Sequence, residues 1–123
     1  MKLGTDIIEI QRIQDAIVKS SRFLQRVYTE KEIAYCDSKG TGRFQSYAGI
    51  YAAKEAFVKA LGTGMRYGSW QDIEIDHDAM GAPILTVIGR FGEISESQRI
   101  ANYHLSISHC KSYAMSTVIL EEE

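Results

Sequence analysis

Three ionic residues, Lys54, Glu55 and Lys59, interrupt an otherwise uncharged stretch from Tyr47 to Leu61. The rest of that stretch is mainly alanine, aromatic or aliphatic, the composition of a helix with packed neighbours on more than one side. A carboxylate in such a helix is costly unless something compensates it. A second acid, Asp6, lies in the apolar run GTDIIEI and shares a strand face with Ile8 and Ile10. Two kinds of partner are open to this pair. Lys59 follows Glu55 by four residues, the favourable order for a helix-surface ion pair of ~0.3 to 0.5 kcal/mol. A hard divalent cation is the alternative: carboxylates are the ligands Mg²⁺ selects, and two of them leave positions for water and phosphate.

Three further groups have chemistry to weigh. Gly62-Thr63-Gly64 ends the same helix, where a glycine is the ordinary left-handed stop. Glycines also permit close backbone approach and Lys59 stands beside them, so a phosphate at this turn is the competing reading. In Ser106-Ile107-Ser108-His109 the serines alternate with apolar residues as on a hairpin edge. Adjacent strand residues point to opposite faces, so Ser108 and His109 are not a nucleophilic pair. His109 at the strand end remains a donor for a phosphate. His77 and His104 stand in no supporting pattern.

The last group is cationic. Arg12, Lys19, Arg22 and Arg26 are spaced by seven, three and four, which aligns them on one helical stripe. With Asp15 as the one acid, residues 10 to 28 sum to 4 − 1 = +3 inside a chain of net charge -2. A solvated face explains the stripe; so does a dock for an acidic protein, with Phe23 beside it as an apolar anchor.

These side chains need elements to position them. Residues 2 to 9 read as a strand, and apolar residues on both its faces place it inside a sheet. Ile10 to about Tyr28 reads as helical, with the Ser20-Ser21 pair a point of division. Thr29-x-x-Glu32 is a capping box, opening a helix to about Asp37. The long helix runs from about Phe44 to Leu61. Strands follow at 72 to 77 and 83 to 88, a short helix at 91 to 100, then strands at 103 to 109 and 113 to 120 as a hairpin. Helices early and strands late indicate an α+β fold.

At 123 residues with 45% hydrophobic content, one domain spanning 1 to 123 is expected. The net charge of -2 argues against nucleic acid as the main partner. Cys36 and Cys110 have neither CxxC spacing nor histidines placed as in a zinc site, which points to reduced thiols. Asp6 and Glu9 would not be tolerated in a secretory apolar region, and no run approaches the ~18 apolar residues of a membrane span. A cytoplasmic protein is the expectation.

The segments GTDIIEI (4 to 10), YAAKEAFVKALGTG (51 to 64), WQDIEI (70 to 75), GAP (81 to 83) and SISHCKSYA (106 to 114) together resemble the holo-(acyl-carrier-protein) synthases, small bacterial 4'-phosphopantetheinyl transferases. The match runs in order over nearly the whole chain. It implies that family's fold: an antiparallel sheet with one long helix packed against it and shorter helices near the N-terminus. It implies transfer of phosphopantetheine from coenzyme A to a serine of acyl carrier protein, with Mg²⁺, in fatty acid biosynthesis. By resemblance, Asp6 and Glu55 are the metal positions, and Glu55 and Lys59 the catalytic ones. Lys59 meets the diphosphate, while Gly62, Thr63, Gly64 and His109 line the coenzyme A site. The stripe of Arg12, Lys19, Arg22 and Arg26, with Phe23, receives the carrier protein. Homotrimers with the cofactor between protomers are also implied. One departure stands out. Many relatives have arginine just before the aromatic-Ala-Ala-Lys-Glu segment, and this chain has Ile50, so the contact that arginine makes is either absent here or comes from another cation, Arg43 and Arg66 being the candidates.

Two rival classes use some of the same residues. A binding module without catalysis would need no metal-carboxylate pair. A Mg²⁺-dependent diphosphate hydrolase would use the two acids but would need no cationic protein dock.

Overall fold

The computed structural model describes all 123 residues. It orders them as β1 (Lys2–Glu9), α1 (Ile10–Lys19), α2 (Ser21–Val27), α3 (Glu30–Asp37), α4 (Arg43–Leu61), β2 (Ile73–His77), β3 (Pro83–Val87), α5 (Gly89–Ser97), β4 (Ile100–His109) and β5 (Tyr113–Glu122). The local signals account for most boundaries. Ser20 is extended, and its hydroxyl accepts from the Arg22 amide, so the first helical stretch divides there. Thr29 and Glu32 form the reciprocal capping box at the start of α3. Gly62 closes α4 at φ 82°, a left-handed conformation costly for any residue with a Cβ.

β1, β5 and β4 form an antiparallel sheet in that order, and β2 pairs with β3 in a separate hairpin. In the sheet's register Asp6 faces Ser116, which in turn faces Ile107. Ile8, Ala114, Val118 and Leu120 point to one side and are buried. The helix α4 lies against that side and buries Ala52, Ala53, Ala56, Phe57 and Ala60.

Two glycines let α4 sit close. A Cβ on Gly49 would come within 2.9 Å of the Ile107 side chain, and one on Gly4 would fall 1.9 Å from the Ala56 carbonyl oxygen. The N-terminal half of α4 therefore crosses β4 and its C-terminal half crosses β1. That diagonal sets the last turns of the helix beside Asp6.

Two expectations need correction. β1 is an edge strand, not an interior one. Its second apolar face is exposed in the single chain, with Leu3 at 67% and Ile7 at 65%, continued on β5 by Tyr113 at 48% and Met115 at 41%. The turn from α5 to β4 also comes earlier than the sequence suggests. Arg99 makes it at φ 62°, without the glycine that marks such turns.

Candidate functional site

Asp6 and Glu55 converge. Asp6 comes from the middle of β1 and Glu55 from the turn of α4 that Gly4 brings against the strand. Lys59 Nζ lies 3.0 Å from Asp6 Oδ1 and also donates to the Thr5 carbonyl at 3.1 Å. The expected helix-surface pair between Glu55 and Lys59 is replaced by this cross-element pair, because the close seat of α4 puts the strand carboxylate within the lysine's reach. Burial raises the pKa of Glu55 above the ordinary carboxylate value, the negative charge of Asp6 raises it further, and Lys59 partly offsets both. Two acids and one shared lysine thus leave negative charge under-compensated. That arrangement attracts another cation.

Lys54, the neighbour of Glu55, does something different. It is fully buried and sits 2.7 Å from Glu32 Oε1, also fully buried. Its other protons go to the carbonyls of Val27 at 2.7 Å and Trp70 at 3.1 Å. Glu32 in turn accepts from the amides of Thr29 at 2.9 Å and Ile75 at 2.7 Å. Burial pushes the Lys54 ammonium down and the Glu32 carboxyl up, and each partner opposes the other's shift. The pair knits the end of α2, the start of α3, the 3-10 turn at Trp70 and β2 onto α4. Sequence reading identified Glu32 only as a cap. The signal was Lys54 itself, since an ammonium in an apolar helix requires a partner.

The cationic stripe is exposed at Arg12, Lys19, Arg22 and Arg26, but the break at Ser20 distributes it over α1 and α2. Phe23 is half-buried rather than free, its ring stacked 6.2 Å from Tyr51, which stacks 5.1 Å from Trp70. Tyr51 lies one turn before Glu55. Burial raises its phenol, Glu55 and Asp6 raise it further, and Arg12 and Arg26 act in the opposite sense. Tyr51 thus feels charge from both carboxylates and from the first and last cations of the stripe.

The remaining sequence candidates divide between the two ends of α4. Gly62, Thr63 and Gly64 directly follow Lys59's helix, and Gly64 at φ 63° shares the left-handed conformation of Gly62. His109 lies toward the other end. With Gly49, Ile50, His77, Pro83 and Ile107 it lines a hollow of about 190 Å³. Helical rise separates Gly49 from Gly62 by roughly 20 Å, so the structure does not bring His109 together with the glycine turn in one chain. Ile50 is buried in the core. Arg43 is exposed and lies over the Phe44 ring, 4.4 Å from its centre. His77, which had no pattern in its favour, stacks on Tyr35 at 3.7 Å. Neither Cys36 nor Cys110 is in a disulfide.

This geometry has known counterparts. The family model described as the 4'-phosphopantetheinyl transferase superfamily matches residues 2–118. A holo-(acyl-carrier-protein) synthase from a Thermoanaerobacter species is 45% identical over 117 residues, covering 95% of this chain and 84% of that protein. The chain belongs to the holo-(acyl-carrier-protein) synthase family. It is thus a phosphopantetheinyl transferase by descent, and solved synthases share its α+β fold. The Bacillus anthracis synthase in complex with coenzyme A (3',5'-ADP) superposes with TM-score 0.80 at 38% identity, covering 99% of this chain and 96% of that one. The Helicobacter pylori synthase in complex with coenzyme A superposes with TM-score 0.84 at 32% identity, covering 97% and 99%. No helix is long and apolar enough to cross a membrane.

Proposed function

We infer that the chain transfers 4'-phosphopantetheine from coenzyme A to a serine of apo acyl carrier protein, releasing adenosine 3',5'-bisphosphate. Family membership and the coenzyme A complexes of its relatives support the reaction. The single observation in this chain that carries it is the meeting of Asp6 and Glu55 with Lys59 between β1 and α4.

The donor set fits a divalent cation such as Mg²⁺. Asp6 and Glu55 are hard oxygen ligands, close enough for one to raise the other, and only Asp6 is engaged by Lys59. Asp6 and Glu55 would hold the ion, which when bound would neutralise charge on the diphosphate under attack. The chain's own residues do the rest. Lys59, whose side chain is 52% exposed, turns its ammonium to the diphosphate, and the amides of Gly62 to Gly64 approach the cofactor without obstruction from side chains. Glu55, its basicity raised by burial and by Asp6, takes the serine proton directly or through water. The serine oxygen bonds to the pantetheine-linked phosphorus as that atom's bond to the adenosine bisphosphate oxygen breaks.

The cations Arg12, Lys19, Arg22 and Arg26 form the dock for the acidic carrier, with Phe23 contributing apolar surface at its base. Two features support a homotrimer with sites between protomers. The outer face of β1 and β5 offers Leu3, Ile7, Tyr113 and Met115 for burial, and His109 lines a hollow with Gly49, roughly 20 Å along α4 from Gly62, so a neighbouring copy would supply it. The reading further includes a single domain over residues 1 to 123 and a cytoplasmic role in fatty acid synthesis.

The experiment is to incubate the protein with coenzyme A, Mg²⁺ and apo carrier protein and to weigh the carrier. A gain of one phosphopantetheine, lost in chelator, is expected; an unmodified carrier would overturn the reading. Light scattering checks the trimer, and a monodisperse monomer would remove it.

A further inference from the structure

Half of the carrier dock rides on α2, and α2 has little of its own to hold it in place. It is seven residues long, lies between the extended residues Ser20 and Tyr28, and buries only Val27. Helices this short are marginal without outside support. Its far end is gripped by two side chains from elsewhere. Lys54 of α4 donates to the Val27 carbonyl at 2.7 Å. Gln71 donates through its side-chain amide to the Gln25 carbonyl and, at 3.0 Å, to that of Tyr28. These are carbonyls that a helix leaves unpaired in and just beyond its last turn. The two grips are themselves joined, because Lys54 also donates at 3.1 Å to the carbonyl of Trp70, the residue before Gln71. Buried Glu32, 2.7 Å from Lys54 Nζ, keeps the ammonium in that position. Thus α4, the turn at Trp70 and α2 form a closed ring of hydrogen bonds.

What the ring fixes is the offset between dock and reaction. Arg22, Phe23 and Arg26 are on α2, whereas Glu55, the residue after Lys54, and Lys59 are on α4. Successive side chains on a helix diverge by about 100°, so Lys54 holds α2 while Glu55 faces β1. The Phe23 ring meets α4 at Tyr51, 6.2 Å away and one turn before Glu55. We propose that Lys54 and Gln71 are positioning residues for the transfer: by clamping the terminal carbonyls of α2 they set where the carrier's serine arrives relative to the phosphorus held beside Glu55 and Lys59. This rests on the function inferred above. Neither side chain touches a substrate or moves a proton. The attack needs oxygen and phosphorus aligned at contact distance, and a misdelivered serine costs up to about a hundredfold in rate. Coenzyme A, held at Glu55 and Lys59, is bound as before.

Two variants open the ring at different points. Glu32→Leu combined with Lys54→Met removes the grip on Val27 without leaving an unpaired buried charge. Gln71→Ala removes the other grip at an exposed position. Each is assayed well below its thermal midpoint with coenzyme A, Mg²⁺ and apo carrier protein. In the double variant kcat should fall about tenfold or more, and in Gln71→Ala about threefold. The Michaelis constant for coenzyme A should stay within twofold of the parent, and the pH at half-maximal rate should not move, because Glu55 and Lys59 keep their places. A merely structural role would lower the thermal midpoint and leave the rate of the folded protein alone. Parental kcat in Gln71→Ala would overturn the proposal whether or not the double variant folds. So would a raised Michaelis constant for the carrier at unchanged kcat, which would make the clamp a support for docking and not for delivery. A loss accompanied by a shifted pH profile would also overturn it, by placing the damage at the reacting groups. Failure of the parent protein, assayed beside the variants, to load the carrier would instead sink the functional reading.

Discussion

Lys54 and Glu55 are neighbours in sequence with opposite circumstances. Lys54 points inward to a dry pocket where three acceptors take its three protons. Glu55 faces the edge of β1, beside a second acid, with one lysine that has already paired elsewhere. The first charge is saturated, and the second lacks a counter-charge. Saturation marks a group that holds the fold together, whereas a shortfall marks a group waiting for something from solution.

The comparison breaks most visibly at the buried pair. Lys54→Met leaves Glu32 charged and unpaired in the core and should cost about 3 to 5 kcal/mol in urea unfolding. Glu32→Leu combined with Lys54→Met should recover most of that loss, since a matched apolar pair removes both desolvation costs. A double variant as unstable as the single one would show that the backbone hydrogen bonds matter more than the charges.

Next in size is Glu55→Gln, where the sign reverses between activity and stability. Turnover at saturating Mg²⁺ should fall about a hundredfold, at the lower end of the range for losing a general base. Stability near neutral pH should hold or rise. Because the Glu55 carboxyl is raised in the folded state, its ionised form opposes folding, and the parent gains stability as pH drops through the raised value, levelling off below 4.5. The variant's advantage should therefore vanish below pH 4.5. A pH-independent difference in chemical denaturation would refute the strained carboxylate.

Lys59→Met sharpens the contrast further. Its pair with Asp6 is half open to solvent, so stability should change by no more than about 1 kcal/mol, while the rate with coenzyme A drops tenfold or more if the ammonium serves the diphosphate. The smallest effect is expected at Lys31, whose 2.7 Å pair with Asp76 is exposed on both sides. Lys31→Ala should leave both urea midpoint and turnover within error, and a measurable loss would contradict the view that solvent access decides what an ion pair is worth.

How far the sequence showed these things depended on whether the cause was local. The capping box at Thr29, the division at Ser20 and the stop at Gly62 each arise within a few residues and were readable. So was the convergence of Asp6 and Glu55, once the resemblance set strand and helix side by side. The Lys54–Glu32 pair joins residues 22 apart, and no local pattern records which acid a buried lysine will meet. The Lys59 partner changed for a similar reason: helical spacing names Glu55, but the depth at which α4 rests on β1 decides for Asp6. The edge position of β1 was hidden because its two apolar faces look alike to any periodicity argument. One face packs against α4, and the other is exposed in the single chain.

That depth is fixed by hydrogen atoms. At Gly4 the strand meets the Ala56 carbonyl with no room for even one more carbon, and Asp6 is only two residues along. Any substituent there would act as a wedge, tilting the helix off the strand and opening the gap between the acids. How far apart the two carboxylates stand is set by an amino acid that itself carries no functional group.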